Sequence, residues 1–247
     1  MKTNYIYQQD CLATLADIPS ETVDLVITSP PYNKNAYAKP YGDDKSWRNL
    51  RGRQIAYDIY SDDMPAEAYA EWQKKVISEC LRVLKPSGSI FYNHKDVLVG
   101  GLAIAPSYIY EFREHLHQTI VWNRKSTLAN DPHYFQPITE WIYWLVKDPK
   151  GFYFNKQAAA HKQSVWAIPF EVNTAHPAPF PEKLVGNIIL SCSKEGDLVF
   201  DPFMGSGTTA VVAARFKRNY IGSEISEQYV KMANKRIFNE TSQLTLF

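Results

Sequence analysis

Two short stretches of this chain combine residue types that could do chemistry, and they stand near its opposite ends. Thr28-Ser29-Pro30-Pro31-Tyr32 follows the apolar run Val23-Asp24-Leu25-Val26-Ile27, so it occupies the place where a buried strand stops. The diproline holds the backbone extended and removes its own donors, which leaves carbonyls free to accept. A hydroxyl and a carbonyl beside an aromatic ring suit a planar, ring-bound amino group. The lone pair of such a group is conjugated into its ring, which makes it a poor nucleophile. Acceptors around its hydrogens can draw it toward a tetrahedral, more basic geometry. Ser29 and the Pro30 carbonyl are the candidate acceptors, Pro31 fixes the turn, and Tyr32 offers a face for stacking.

The second stretch is Asp201-Pro202-Phe203-Met204-Gly205-Ser206-Gly207-Thr208-Thr209, set between a strand pattern and a helical one. An open α/β sheet places its ligand loop there, and glycines let the backbone approach a ligand closely. Glu224 follows at the end of the next strand, about 20 residues on, the spacing of an acid that binds ribose hydroxyls. The third glycine of a dinucleotide fingerprint is missing, and so is the Gly-Lys-Ser/Thr of a phosphate loop. A ligand with an adenosyl group and no phosphates needs neither.

Positioning these stretches requires a sheet. Strands are expected over 4–8, 23–27, 89–92, 118–122, 139–146, 197–200 and 219–222, and helices over 65–84, 108–116, 182–192, 208–217 and 227–238. Lys85-Pro86-Ser87-Gly88 reads as the turn that ends the first helix. Residues 34–63 lose the hydrophobic period and read as a long surface loop, a kind that is usually functional. Residues 147–178 read as irregular. Only one strand–helix unit follows the glycine loop, so the strand before it must take its other neighbours from the N-terminal half. The expected fold class is α/β: a doubly wound, mostly parallel sheet, circularly permuted relative to one that begins with its ligand strand, built as a single domain over residues 1–247.

Bulk properties set outer limits. A chain of 247 residues, 45% hydrophobic and 14% aromatic, can bury one such core. A formal net charge of +1 decides nothing, because basic residues can gather on one face. Cys11, Cys80 and Cys192 have neither disulfide-framework nor zinc spacing, and no metal is expected. His94, His115, His117, His133 and His161 form no triad or metal pattern and read as surface or structural. Without a signal-like opening or a membrane-length run, a cytoplasmic protein is expected.

Taken together, the two stretches resemble the catalytic and cofactor motifs of bacterial DNA amino-methyltransferases. Their order, catalytic motif first, is that of the β group of cytosine-N4 and adenine-N6 enzymes. The resemblance implies the S-adenosylmethionine-dependent methyltransferase fold, S-adenosylmethionine as cofactor, and double-stranded DNA as substrate, with the target base flipped out of the duplex. It assigns the cofactor to Asp10, Cys11, His176, Lys183, Asp201, Pro202, Phe203, Gly205, Ser206, Gly207, Thr208 and Glu224. Within that set, Asp10 and Cys11 belong to the adenine, Glu224 to the ribose, and Gly205 and Gly207 to the methionine end. Cytosine-C5 enzymes attack with the cysteine of a Pro-Cys pair. Here the cysteines follow Asp10, Glu79 and Ser191, which excludes that covalent route.

Serine at the head of the catalytic motif favours cytosine N4, with adenine N6 as the alternative. A reading of another class is a catalytically silent DNA-binding or specificity subunit; a further one is an RNA or protein methyltransferase. Lys34, Lys39, Lys45, Arg48, Arg51 and Arg53, interleaved with Tyr37, Tyr41 and Trp47, have the mixture that contacts phosphates and bases. Residues 147–178 take the place where this group carries target recognition. Gln243-Leu244-Thr245-Leu246-Phe247 resembles the peptide by which bacterial proteins dock on the sliding clamp. A cognate restriction endonuclease, a monomeric or homodimeric state and a nucleoid-associated location in a bacterial or archaeal cell complete the expectations.

Overall fold

The computed structural model describes residues 1–33, 62–99, 102–127, 133–170 and 180–244. Its centre is an eight-stranded sheet. In chain order the strands are β1 (Tyr5–Tyr7), β2 (Val23–Thr28), β3 (Leu84–His94), the outlying hairpin β4 (Val97–Val99) and β5 (Leu102–Ile104), β6 (Leu116–Asn123), β7 (Thr139–Val146), β8 (Val165–Ala167), β9 (Leu198–Asp201) and β10 (Asn219–Ser223). The sheet runs β1-β10-β9-β2-β3-β7-β6-β8. Every pairing in it is parallel except those of β7, which lies antiparallel between β3 and β6. The ligand-loop strand β9 pairs with N-terminal β2, and β10 with N-terminal β1, as the permuted order requires.

Helices cover both faces. On one face α1 (Cys11–Asp17) and α2 (Ala66–Val83) pack over Val23, Val26, Ile90, Phe200 and Ile221. On the other, α3 (Glu182–Cys192), α4 (Thr208–Arg215) and α5 (Glu227–Leu244) pack over Leu25, Ile27, Phe91 and Val199. Alternate residues of β2 thus enter opposite cores, the signature of a central strand buried on both sides. Helix α2 forms because Tyr69, Gln73, Val76, Ile77, Cys80 and Leu81 return to one face at three- and four-residue steps, while Lys74, Lys75 and Glu71 stay outside.

The chain from β9 passes through α4 to β10, on one side of β9. From β2 it passes through α2 to β3, on the opposite side. The gap between β9 and β2 is therefore the topological switch point, where open sheets of this kind bind ligands at the carboxyl ends of their strands.

Four sequence expectations change. The helix expected over 108–116 is a short 3-10 helix, Ser107–Phe112, because strand β6 takes the chain from Leu116. Lys85-Pro86-Ser87-Gly88 is no helix-ending turn: α2 hands over directly to β3, and the register jumps so that Val23 faces Leu84 and Leu25 faces Ser89. Gly88 is required in that bulge, since a Cβ there would lie 2.8 Å from the Asp24 carbonyl oxygen. Helix α1 went unread because it is only seven residues long; Asp10 caps it, accepting from the Leu12 N–H at 2.8 Å. The irregular segment 147–178 contributes an edge strand, β8, paired in parallel with β6.

Gly207 enters α4 at φ +84°, and a Cβ there would sit 2.6 Å from Ala233 Cβ of α5. Gly196 has the same φ of +84° with nothing within 4 Å. Gly207→Ala is expected to cost about 2–4 kcal/mol in urea unfolding, from the left-handed backbone plus overpacking. Gly196→Ala is expected to cost only the backbone part, about 1–2 kcal/mol.

Candidate active site

Strands β9 and β2 run side by side, with Val199 opposite Leu25 and Phe200 opposite Val26. Their next residues therefore meet at the carboxyl edge, where Thr28 Oγ1 donates to Asp201 Oδ1 at 2.9 Å. Asp201 also accepts from Thr209 Oγ1 at 2.7 Å and from the Phe203 N–H at 3.0 Å. The carboxylate is 3% exposed. Burial pushes its pKa up to about 6, against the hydrogen bonds from Thr209, Phe203 and Thr28. One side chain thus joins the start of the glycine loop, the first turn of α4 and the residue before Ser29.

The glycine loop is held from two further sides. The Gly205 N–H donates to Glu224 Oε2 at 2.8 Å, and Glu224 Oε1 accepts from the Ser226 N–H at 2.8 Å. Arg236 of α5 reaches back to the Ser206 carbonyl at 2.8 Å, the Ser206 hydroxyl at 3.1 Å, the Thr208 hydroxyl at 3.1 Å and Glu182 at 3.0 Å. Pairing of β1 with β10 brings Asp10 to the same edge as Glu224: the Glu224 N–H donates to the Tyr7 carbonyl at 3.0 Å, and the Ser223 hydroxyl to the Gln9 carbonyl at 2.7 Å. Phe203 is half-buried with its ring edge-on to Trp72, centroids 5.6 Å apart, and Pro202 is buried beside it. Half-exposed Glu224, exposed Asp10 and half-exposed Gly205 form an edge of acceptors and open backbone. That acceptor set fits a ligand with hydroxyl and amino donors and no phosphate, since an ionised carboxylate can only accept.

Not all of the expected cofactor residues gather there. The Cys11 side chain is 3% exposed in the core under α2, and burial raises its thiol pKa. Lys183 is exposed on the first turn of α3, with no contact to the loop among the described residues. His176 lies outside the described residues, as do Lys34, Lys39, Lys45, Arg48, Arg51 and Arg53.

At the catalytic motif, Ser29 is half-buried, Pro30 is buried, and Tyr32 is 8% exposed. The Ser29 and Tyr32 hydroxyls lie 2.8 Å apart, and Tyr32 donates to Glu140 Oε2 at 3.0 Å. Asn93 Nδ2 donates to the same Glu140 oxygen at 2.8 Å and reaches the Tyr32 hydroxyl as well. Arg124 Nη1 closes the far side on Glu140 Oε1 at 2.6 Å. His94 backs the Tyr32 ring, centroids 4.6 Å apart, and its Nε2 meets the Tyr69 hydroxyl at 2.9 Å. That same hydroxyl donates to the Pro31 carbonyl at 2.7 Å. His94, expected to be merely surface or structural, is therefore a buried support of the motif.

Asn93, Glu140, Arg124, His94 and Tyr69 were missed from sequence. One signal was present: Glu140 and Asn93 are polar residues directly at the ends of apolar strand runs, 141–146 of β7 and 90–92 of β3. Burial by itself would raise the Glu140 pKa. Lys95 and Arg124 nearby, with the Asn93 and Arg124 hydrogen bonds, outweigh it and hold the carboxyl below its ordinary value. Two polar atoms here, Asn93 Oδ1 and Arg124 Nε, are buried without a partner among the described residues. Orphans of this kind call for an explanation, and a polar substrate supplies one.

A family model described as DNA methylase matches residues 23–235, which takes in both loops. The chain belongs to the DNA methylase family. The resemblance read from the two motifs is borne out. This methylase is 33% identical over 276 residues to the Type II methyltransferase M.BglII of Bacillus subtilis, covering 97% of this chain and 70% of that protein. It is 29% identical over 263 residues to the DNA adenine methyltransferase YhdJ of Escherichia coli (strain K12), across 94% of this chain and 82% of that one. Among solved structures, the PvuII DNA methyltransferase (cytosine-N4-specific) superposes with a TM-score of 0.74 at 21% identity, covering 98% of this chain and 91% of the other. That likeness is one of fold. TTHA0409 of Thermus thermophilus, complexed with S-adenosyl-L-methionine, gives a TM-score of 0.67 at 25% identity, covering 95% and 93%.

Asp201 has its folded-state pKa raised from 3.8 to about 6. Its contribution to stability is therefore fully present below about pH 4 and lost as pH rises through 6. Asp201→Asn, neutral throughout, lacks this dependence. The unfolding free energy of the wild type relative to the variant is expected to fall by about 3 kcal/mol between pH 4 and pH 7, read by urea titration at each pH.

Proposed function

We propose that this methylase transfers a methyl group to an exocyclic amino group of a base flipped from double-stranded DNA, with cytosine N4 as the leading target. The observation that carries the reading is the Thr28–Asp201 hydrogen bond, which fixes the catalytic motif beside the glycine loop at the switch point. S-adenosylmethionine, the cofactor, supplies an electrophilic methyl on a sulfonium. Glu224 would hold its ribose hydroxyls, Asp10 would face the adenine, and Gly205 would leave room for the methionine end, whereas the bare Cα of Gly207 faces Ala233 of α5.

The protein's own residues do the rest. Tyr32, backed by His94, presents a fixed aromatic surface for the base. The Ser29 oxygen and the Pro30 carbonyl accept from the amino hydrogens and stabilise the positive charge that develops on nitrogen as the methyl arrives; the one amino proton that is then surplus is lost to solvent. Acceptors fixed in advance in a buried site need no reorganisation at that moment. Tyr69 and His94 hold the diproline turn so that these acceptors keep their aim.

Serine in the motif supports cytosine N4. The likeness to a protein named as a DNA adenine methyltransferase supports adenine N6 as the second reading. Residues 34–63 are proposed as a DNA-facing loop. Asn33 holds both its ends, donating its backbone N–H to buried Asp62 at 2.6 Å and its side-chain amide to the Met64 carbonyl at 2.7 Å. Residues 147–178 are proposed as a short target-recognition insertion. Residues 243–247, of which 245–247 lie outside the described residues and 243–244 end α5, are proposed as a clamp-docking peptide, and a companion endonuclease, a monomeric or dimeric state and a nucleoid location are proposed with them. No helix among the described residues is long and apolar enough to cross a membrane.

Duplex DNA incubated with the protein and labelled S-adenosylmethionine, then digested to nucleosides, is expected to yield N4-methylcytosine by mass spectrometry. N6-methyladenine as the sole product would move the assignment to the second reading. Cofactor binding without any methylated nucleoside would make the chain a silent DNA-binding subunit. Ser29→Ala is expected to lower kcat by about 10²–10³-fold while cofactor affinity holds. Replacing Lys34, Lys39, Lys45, Arg48, Arg51 and Arg53 by glutamine is expected to flatten the salt dependence of DNA binding, by about 0.9 in slope for each phosphate no longer neutralised.

A further inference from the structure

We propose that Glu140 is a positioning residue that sets the direction of the hydrogen-bond chain through Tyr32 to Ser29, making the Ser29 oxygen an obligatory acceptor toward the amino group. The inference rests on the role of Ser29 given above and deepens it.

Counting hydrogens gives the direction. Tyr32 has one hydroxyl hydrogen, and Glu140 Oε2 lies 3.0 Å away. An ionised carboxylate has no hydrogen to give, so Tyr32 donates to it. The Tyr32 oxygen can then meet the Ser29 hydroxyl, at 2.8 Å, only as an acceptor, and Ser29 has to donate. Asn93 agrees. Its Nδ2 faces the same carboxylate oxygen at 2.8 Å, where only an N–H is tolerated, and it also reaches the Tyr32 oxygen. That oxygen is thus filled by Ser29 and Asn93 on its lone pairs and by Glu140 on its hydrogen. With its own hydrogen committed to Tyr32 and Asn93 Nδ2 donating to its oxygen at 3.5 Å, Ser29 turns its remaining lone pair toward an incoming amino group. Were the chain reversed, the Ser29 hydrogen would face the amino nitrogen and compete with the methyl for its lone pair.

Arg124 makes the device rigid. Its guanidinium lies 2.6 Å from Glu140 Oε1, the two side chains are 14% and 7% exposed, and an arginine can only donate. Oε1 must therefore be an acceptor. In Glu140→Gln the amide oxygen is held by Arg124, and the NH₂ group is forced toward Tyr32. Tyr32 would then accept from Gln and donate to Ser29, which reverses the chain, while Asn93 Nδ2, itself a donor, loses its acceptor at this position.

The test is a double-variant cycle on the full-length protein with duplex DNA and S-adenosylmethionine, measuring kcat and KM separately. Glu140→Gln is expected to lower kcat about 10- to 100-fold, with both KM values within about twofold of wild type. Tyr32→Phe keeps the stacking ring and removes the middle of the chain. Its own loss is expected to be smaller, and Tyr32→Phe placed in the Glu140→Gln protein is expected to raise kcat again, because no hydrogen is then driven onto Ser29. A purely structural role for Glu140 gives no such rescue. If Glu140→Gln does not fold, Glu140→Ala carries the same test, since the freed Tyr32 hydrogen turns to Ser29. Wild-type protein that transfers no methyl group overturns the functional reading and this one with it. Wild-type transfer together with an unchanged kcat in Glu140→Gln, or with a double variant no faster than the single one, overturns the hydrogen-bond assignment alone.

Discussion

The buried carboxylate of Asp201 ties together parts of the chain more than 170 residues apart, through its bonds to Thr28, Thr209 and the Phe203 N–H. An ionisable group with this little exposure is tolerated only where donors surround it. Here the donors come from β2, the glycine loop and α4, so satisfying one carboxylate fixes the relative positions of all three. The placement of Ser29 beside the glycine loop follows from that arrangement, since Thr28 directly precedes it.

A second buried carboxylate governs the other half of the site. Glu140 lies at the start of the antiparallel strand β7, so it reaches the edge where parallel strands β2 and β3 end. Arg124, just past the end of β6, arrives at the same edge. Insertion of one antiparallel strand is therefore what allows an acid, an amide and a guanidinium to converge behind Tyr32. Networks of this kind are costly when half-satisfied and rigid when filled. Two atoms of this network, Asn93 Oδ1 and Arg124 Nε, are buried without a partner among the described residues.

Much of the fold was legible in order and type. β2 announced itself as an apolar run cut off by prolines, and α2 as a periodic stripe. What escaped reading were short or locally ambiguous pieces: α1, whose seven residues hold few turns; the bulge at Gly88, visible only once β2 and β3 are paired; and the 3-10 helix at Ser107–Phe112, where the demands of β6 override helical propensity. In the candidate site, the residues that would touch ligand were legible because their chemistry is packed into contiguous motifs. The residues that hold them were not, because Asn93 of β3, Glu140 of β7 and Arg124, just past β6, are single polar side chains far apart in sequence.

By itself, then, the sequence determined the two motifs, their reversed order, and hence which strands had to be neighbours, since local backbone chemistry and hydrophobic period are written in adjacent residues. Only the tertiary structure decided the polarity of the site. Whether Ser29 gives or takes a hydrogen depends on the acceptor behind Tyr32, and that acceptor is brought there by strand register between β3 and β7. Register is a property of pairing across the sheet, and no local run of residues encodes it.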